Sequence, residues 1–135
     1  METMVSIEGI TKRYGNRTAV AGLNLTVAKG EFFGYLGPNG AGKTTTIKSI
    51  IGLVRPDEGR VMVGGLDVAK EPLEVRRRIG FIPDTPFLYD KLTAREFLRF
   101  VGGLYHMERD DLESRIAWLH DIFDMHGWID RRAEG

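Results

Sequence analysis

Val5-Ser6-Ile7-Glu8-Gly9-Ile10-Thr11 alternates apolar and polar residues, the period-two pattern of a strand with one buried face. A turn signal, Gly15-Asn16, follows within Lys12-Arg13-Tyr14-Gly15-Asn16-Arg17. Ala19-Val20 and the alternating Leu23-Asn24-Leu25-Thr26-Val27 predict a second strand region, so antiparallel strands come first. Lys29-Gly30-Glu31 then turns into Phe32-Phe33-Gly34-Tyr35-Leu36, an apolar, aromatic-rich run predicted as a further strand. Beyond a glycine-rich loop, the run Thr45 to Ile51 reads as a helix closed by Gly52.

The next segment, Val54 to Arg60, is a loop: Pro56 cannot continue the helix and Gly59 permits a turn. Val61-Met62-Val63 predicts a short strand ending at Gly64-Gly65. Glu71 to Arg78 predicts a short helix with Pro72 in its first turn. Ile79-Gly80-Phe81-Ile82 is a strand candidate, stopped by Pro83-Asp84-Thr85-Pro86. From Thr93 the pattern is helical. Thr93-Ala94-Arg95-Glu96 has the form of a capping box, with Phe97, Leu98, Val101 and Leu104 at helical spacing. Gly102-Gly103 weakens the last turn. A final helix opens at Asp110-Asp111, aligns Leu112, Ile116, Leu119, Ile122 and Phe123 on one face, and closes at Gly127.

Composition narrows the classes. The 135 residues are 42% hydrophobic and 28% charged, which suits a folded domain with a sizeable core. Formal net charge is +0, so no overall charge favours nucleic acid or an anionic membrane. There are no cysteines, which excludes disulfides and thiolate metal sites. No signal peptide is read at Met1-Glu2-Thr3-Met4, and no apolar stretch reaches a membrane-spanning length of ~18 residues.

The chemistry concentrates in Gly37-Pro38-Asn39-Gly40-Ala41-Gly42-Lys43-Thr44, which fits the phosphate-loop pattern G-x-x-x-x-G-K-[ST]. Glycines at 37, 40 and 42 let the backbone turn tightly and bring N–H groups close to phosphate oxygens. Lys43 supplies a flexible charge for the β- and γ-phosphates, and Thr44 a hydroxyl for the bridging Mg2+. The helix start at Thr45 adds free N–H groups and a favourable dipole. A strand before the loop and a helix after it are the setting that this motif requires.

The residues around the loop carry a resemblance. Tyr14 in Lys12-Arg13-Tyr14-Gly15, the phosphate loop, and Ile79 to Asp84 running into Phe87 to Phe97 occur in the order shown by ABC transporter ATP-binding domains. Over essentially its full length the chain resembles the N-terminal part of such a domain. The resemblance implies an α/β fold, a P-loop NTPase of ABC type. It would comprise an N-terminal antiparallel β subdomain, an incomplete central sheet and the start of a helical subdomain. Residues 1–83 would form the antiparallel β plus P-loop core, and 84–135 the Q-loop and the start of the helical subdomain. ATP and Mg2+ would be the cofactors. Tyr14 would stack on adenine; Gly37, Pro38, Asn39, Gly40, Ala41, Gly42, Lys43, Thr44 and Thr45 would hold the phosphates. Thr44 and Asp84 would contact magnesium, Asp84 standing where the family usually has its Q-loop glutamine.

The family's LSGGQ-type signature, Asp-Glu strand, catalytic glutamate and switch histidine are not found in the sequence up to Gly135. No catalytic residue is therefore assigned, and little or no hydrolysis is expected of these residues alone. The implied partners are a second ATP-binding domain in a head-to-tail dimer and an integral membrane permease met through the Phe87–Leu98 region. No nucleic acid partner is implied. The implied location is the cytoplasm, peripheral on the inner face of the cell membrane. Alternatives are an ABC-type ATPase without a permease, a nucleotide-binding fragment with no activity of its own, and a different P-loop enzyme such as a nucleotide kinase or GTPase. The last lacks support: a GTPase would need an N-K-x-D motif, which is not present, and antiparallel strands before the loop fit a kinase poorly. Arg76-Arg77-Arg78 reads as a solvated helix face, and His106, His120 and His126 as surface or helix-end residues without metal-ligand spacing.

Overall fold

The computed structural model describes residues 2–85 and 89–132. It divides into two compact units, Met1–Ile82 and Pro83–Gly135.

In the first unit, strands β1 (Thr3–Tyr14) and β2 (Arg17–Ala28) form a long antiparallel hairpin. Tyr14 pairs with Arg17, leaving Gly15-Asn16 as a two-residue turn with Gly15 at φ 57°. Positive φ at the first turn residue suits the right-handed twist of the strands it joins. β3 (Glu58–Val63) pairs antiparallel with the other side of β1, and β4 (Leu66–Asp67) with β3. The sheet order is β2-β1-β3-β4. The alternation seen in the sequence puts Ile7, Ile10, Val20, Val61 and Val63 into one core with Val68 and Val75. Helix α1 (Lys43–Ile50) contributes Ile50 to that core, and helix α2 (Pro72–Arg77) contributes Val75.

Two predicted strands are absent. Phe32 to Leu36 and Ile79 to Ile82 have no strand assignment and no ladder partner among the described residues. Phe32 is fully exposed, and Leu36 and Ile82 are 91% and 88% exposed. Apolar pattern marks a segment that can be a central strand, but a neighbour must supply the hydrogen-bonded ladder. The arginine run is exposed as expected; Arg76 and Arg78 also donate to the Gly52 and Gly64 carbonyls, each at 3.0 Å, and Arg77 pairs with Glu74.

The second unit is helical: α3 (Ala94–Leu104) and α4 (Arg109–Ile122). The capping box forms, with Thr93 Oγ1 accepting from the Glu96 N–H at 3.2 Å and Glu96 accepting from the Thr93 N–H at 2.8 Å. Ile116, Met125 and Ile129 are its buried core, packed by Ala94, Leu98, Leu112 and Leu119. Ile122 and Phe123, predicted on the same buried stripe, are 56% and 64% exposed. The helix ends at Ile122, and Asp124 at φ 46° reverses the chain before Gly127 is reached. That reversal brings Met125 into the core in their place. No helix among the described residues is long and apolar enough to cross a membrane.

Candidate nucleotide-binding site

The phosphate loop sits between two fixed points. At its far end Gly42 caps α1 in the left-handed conformation, φ 83°, and its backbone presses on β2. A Cβ there would stand 2.3 Å from the Ala19 carbonyl oxygen, so only glycine fits. Gly40 also lies at φ 83°, and the Ala41 N–H donates to the Pro38 carbonyl at 3.2 Å. The loop is thereby folded into a tight concave turn leading straight into a helix.

At the other end, α1 is anchored by polar groups that sequence periodicity does not mark as core. Thr46 and Ser49 are fully buried. Thr46 Oγ1 lies 3.4 Å from the Tyr35 hydroxyl, and Ser49 Oγ donates back to the Thr45 carbonyl at 2.9 Å. These contacts satisfy the buried hydroxyls, and no buried side-chain polar atom among the described residues lacks a partner.

The electrostatics favour an anion. α1 has no side-chain cap and no acidic residue in its first turn, so its free N–H groups and positive dipole end stay open. Lys43 curls back over the loop, donating to the Gly37 carbonyl and, at 2.7 Å, to the Pro38 carbonyl. Its ammonium is held at the loop without a carboxylate partner among the described contacts. Thr44 is exposed and Thr45 half-buried, one turn into the cradle. Such a set of glycines, N–H groups, one ammonium and one hydroxyl is the chemistry that holds a phosphate chain with a hard cation.

Sequence reading missed Arg17. Its Nη2 comes within 3.3 Å of the point where a Gly40 Cβ would stand, adding a second cation beside the loop. Tyr14, opposite Arg17 in the hairpin register, is half exposed, with Lys12 Nζ 5.6 Å from its ring centroid. The hairpin end that carries Tyr14 is thus the end whose Arg17 reaches the loop. Asp84 belongs to the second unit, at an exposed bend. Phe87 and Leu88 lie outside the described residues. A separate cleft of about 570 Å³ opens at the opposite end of α1, lined by Ser49, Gly52, Pro56, Asp57 and Arg76, away from the phosphate cradle.

Known proteins share this arrangement. Residues 20–134 match the family described as "ABC transporter". The linearmycin resistance ATP-binding protein LnrL of Bacillus subtilis (strain 168) is 45% identical over 97% of this chain and 41% of its own length. The ABC transporter ATP-binding protein NatA of the same organism is 38% identical over 98% of this chain and 56% of its own. A solved ATP-binding subunit of an ABC transporter superposes with a TM-score of 0.83 at 32% identity, covering 96% of this chain and 54% of that one. A nucleotide-free ATP-binding cassette from an ABC transporter gives 0.77 at 28% identity, covering 98% and 58%. The chain thus spans about half the length of the relatives it matches. A phosphate loop pinned between an antiparallel hairpin and its helix, and a family match running from the hairpin through both units, make this chain a member of the ABC transporter ATP-binding family.

Proposed function

We propose that this chain is the nucleotide-holding part of an ABC-type ATPase that couples ATP binding and hydrolysis to transport through a separate membrane permease. The observation that carries the reading is the cradle itself: Gly40 and Gly42 at φ 83°, an uncapped α1 start, and Lys43 turned onto the loop. Residues 37–45 hold the triphosphate, and Tyr14 stacks on the base, contributing about 1 kcal/mol. Mg2+, a hard cation, neutralises phosphate charge; the Thr44 hydroxyl would be an oxygen donor to it, and the Asp84 carboxylate is a second candidate donor. Both residues are exposed.

The partners in this reading are a second ATP-binding domain, head to tail, and a permease docked on the 87–98 region. Support for the docking comes from Tyr89, half exposed and edge-on to Phe100 at 5.5 Å, above an apolar hollow of about 450 Å³ lined by Phe97, Leu98 and Trp128. An aromatic hollow of this kind suits an apolar helix end. Residues 1–83 and 84–135 then serve as nucleotide core and as the start of the helical, permease-facing subdomain. The protein would work at the inner face of the cell membrane, in the cytoplasm.

Titration of the chain with MgATP, followed by NMR, tests the proposal. Weak binding centred on residues 37–45 and lost in Lys43→Ala is the expected outcome, with negligible hydrolysis. A folded chain whose loop resonances ignore MgATP would overturn the holding role. Steady turnover abolished by Lys43→Ala would instead overturn the assignment of hydrolysis to residues other than these.

A further inference from the structure

The end of α4 gathers side chains that their sequence spacing keeps apart. Asp124 adopts φ 46°, the Met125 N–H donates to the His120 carbonyl at 3.0 Å, and the Asp124 N–H to the Asp121 carbonyl at 3.5 Å. These are the paired hydrogen bonds of a Schellman turn. Met125, 6% exposed, anchors the turn in the core with Ile116 and Ile129. His126 is thereby folded back onto His120, the two rings 4.2 Å apart and perpendicular. Asp121 Oδ1 lies 3.2 Å from His120 Nδ1. One donor atom from each of His120, Asp121 and His126 falls within 4.8 Å of the others. Asp124 brings another carboxylate oxygen 3.8 Å from His126 Nε2.

We propose that His120, Asp121 and His126 form a binding site for a divalent transition-metal ion, with Asp124 or water completing the shell. Two imidazole nitrogens and a carboxylate are borderline donors, suited to Zn2+, Ni2+ or Cu2+ rather than to Mg2+ or Ca2+. Donors at about 2.1 Å around a tetrahedral ion stand roughly 3.4 Å from one another, so the present spacing must contract. The geometry allows it. Asp121 and His126 side chains are 78% and 70% exposed and free to rotate, while His120, at 21%, provides the fixed point. The bound ion would tie the last turn of α4 to the segment beyond it, stabilising the second unit as any ligand specific to the folded state does. All four residues belong to the second unit, and none is a residue of the nucleotide cradle.

Calorimetric titration of the tag-free full chain with Zn2+, without nucleotide, tests the site, and Co2+ absorption reports the donor set. One Zn2+ per chain is expected, with affinity lowered on the order of tenfold or more in His120→Gln and in His126→Gln. His106→Gln, at an unrelated position, should leave binding unchanged. Asp121→Asn, which keeps the turn and its packing, should also weaken Zn2+ and alter the Co2+ spectrum, separating ligation from folding. Absence of saturable Zn2+ binding, or binding that survives both histidine substitutions, overturns the proposal.

Discussion

Gly42 and Ala19 meet across the base of the phosphate loop so closely that a Cβ on Gly42 would stand 2.3 Å from the Ala19 carbonyl oxygen. Val20 Cγ2 is 3.0 Å from the same point. The obstacle is backbone of a paired strand, which cannot swing aside as a side-chain tip can. Gly42→Ala therefore meets both a left-handed φ and a steric clash, and should destabilise the first unit by about 2–4 kcal/mol. Denaturant unfolding followed by Tyr35 and β-sheet signals checks this, and MgATP binding should disappear in the same variant. Unchanged stability would mean that the hairpin and the loop do not touch.

Arg17 offers a milder perturbation of the same contact. Its guanidinium beside Gly40 is exposed, so its pull on a bound anion is screened by water and salt. Arg17→Ala should weaken MgATP binding by roughly 1.4- to fivefold, matching the ~0.2–1 kcal/mol of exposed charge pairs. The difference between variant and parent should shrink as salt is raised. A loss that persists at high salt would point to packing rather than charge.

The start of α3 gives the second unit a pH dependence. The Thr93 N–H bonded to Glu96, with the Thr93 hydroxyl beside it, holds the Glu96 carboxyl below its ordinary value of 4.5. The Arg95 guanidinium, bonded at 2.7 and 3.1 Å, holds the Asp130 carboxyl below 3.8. A carboxyl whose value is depressed by folding stabilises the folded state above its unfolded value and loses that contribution as acid protonates it in the fold. Thermal midpoints of the second unit should thus be flat above pH 4.5 as far as these groups act, and fall below it. Glu96→Gln should lower the midpoint at neutral pH, and its deficit should vanish as the pH falls through the depressed range. A deficit independent of pH would assign the Glu96 effect to shape rather than charge.

What the sequence disclosed follows from how local each feature is. The phosphate loop was legible because its chemistry needs particular residue types at fixed spacing within eight positions, Gly37 to Thr44. The hairpin was legible because Gly15-Asn16 sits between two alternating runs. Phe32–Leu36 and Ile79–Ile82 carry strand-like composition, yet composition cannot supply a pairing partner, and among the described residues none flanks them. Arg17 escaped notice because its nearness to Gly40 depends on a hairpin folding over a loop more than twenty residues on. The His120–His126 pair escaped for another reason. A helix presents neighbours three or four residues apart, whereas these meet only because Asp124 leaves the helix left-handed. Dipeptide signals mark glycine for such turns far more readily than aspartate.

The two adjacent glycines of α3 should respond in opposite directions to the same substitution. Within a helix, alanine is favoured over glycine by about 1 kcal/mol through reduced freedom of the unfolded chain. At Gly103 nothing lies within 4 Å of a new methyl, so Gly103→Ala should stabilise the second unit by up to about 1 kcal/mol. Gly102 is buried, and a methyl there would come within 2.4 Å of Leu112 Cδ1, 2.8 Å of Cδ2 and 3.2 Å of Cγ. Leu112 packs against the Ile116–Met125–Ile129 core, so it cannot retreat without displacing that core. Overpacking of about 1–3 kcal/mol then exceeds the propensity gain, and Gly102→Ala should be destabilising on balance. Denaturant midpoints of the two variants decide it. Stabilisation by both would mean that α3 and α4 stand farther apart at Leu112 than the 2.4 Å approach requires.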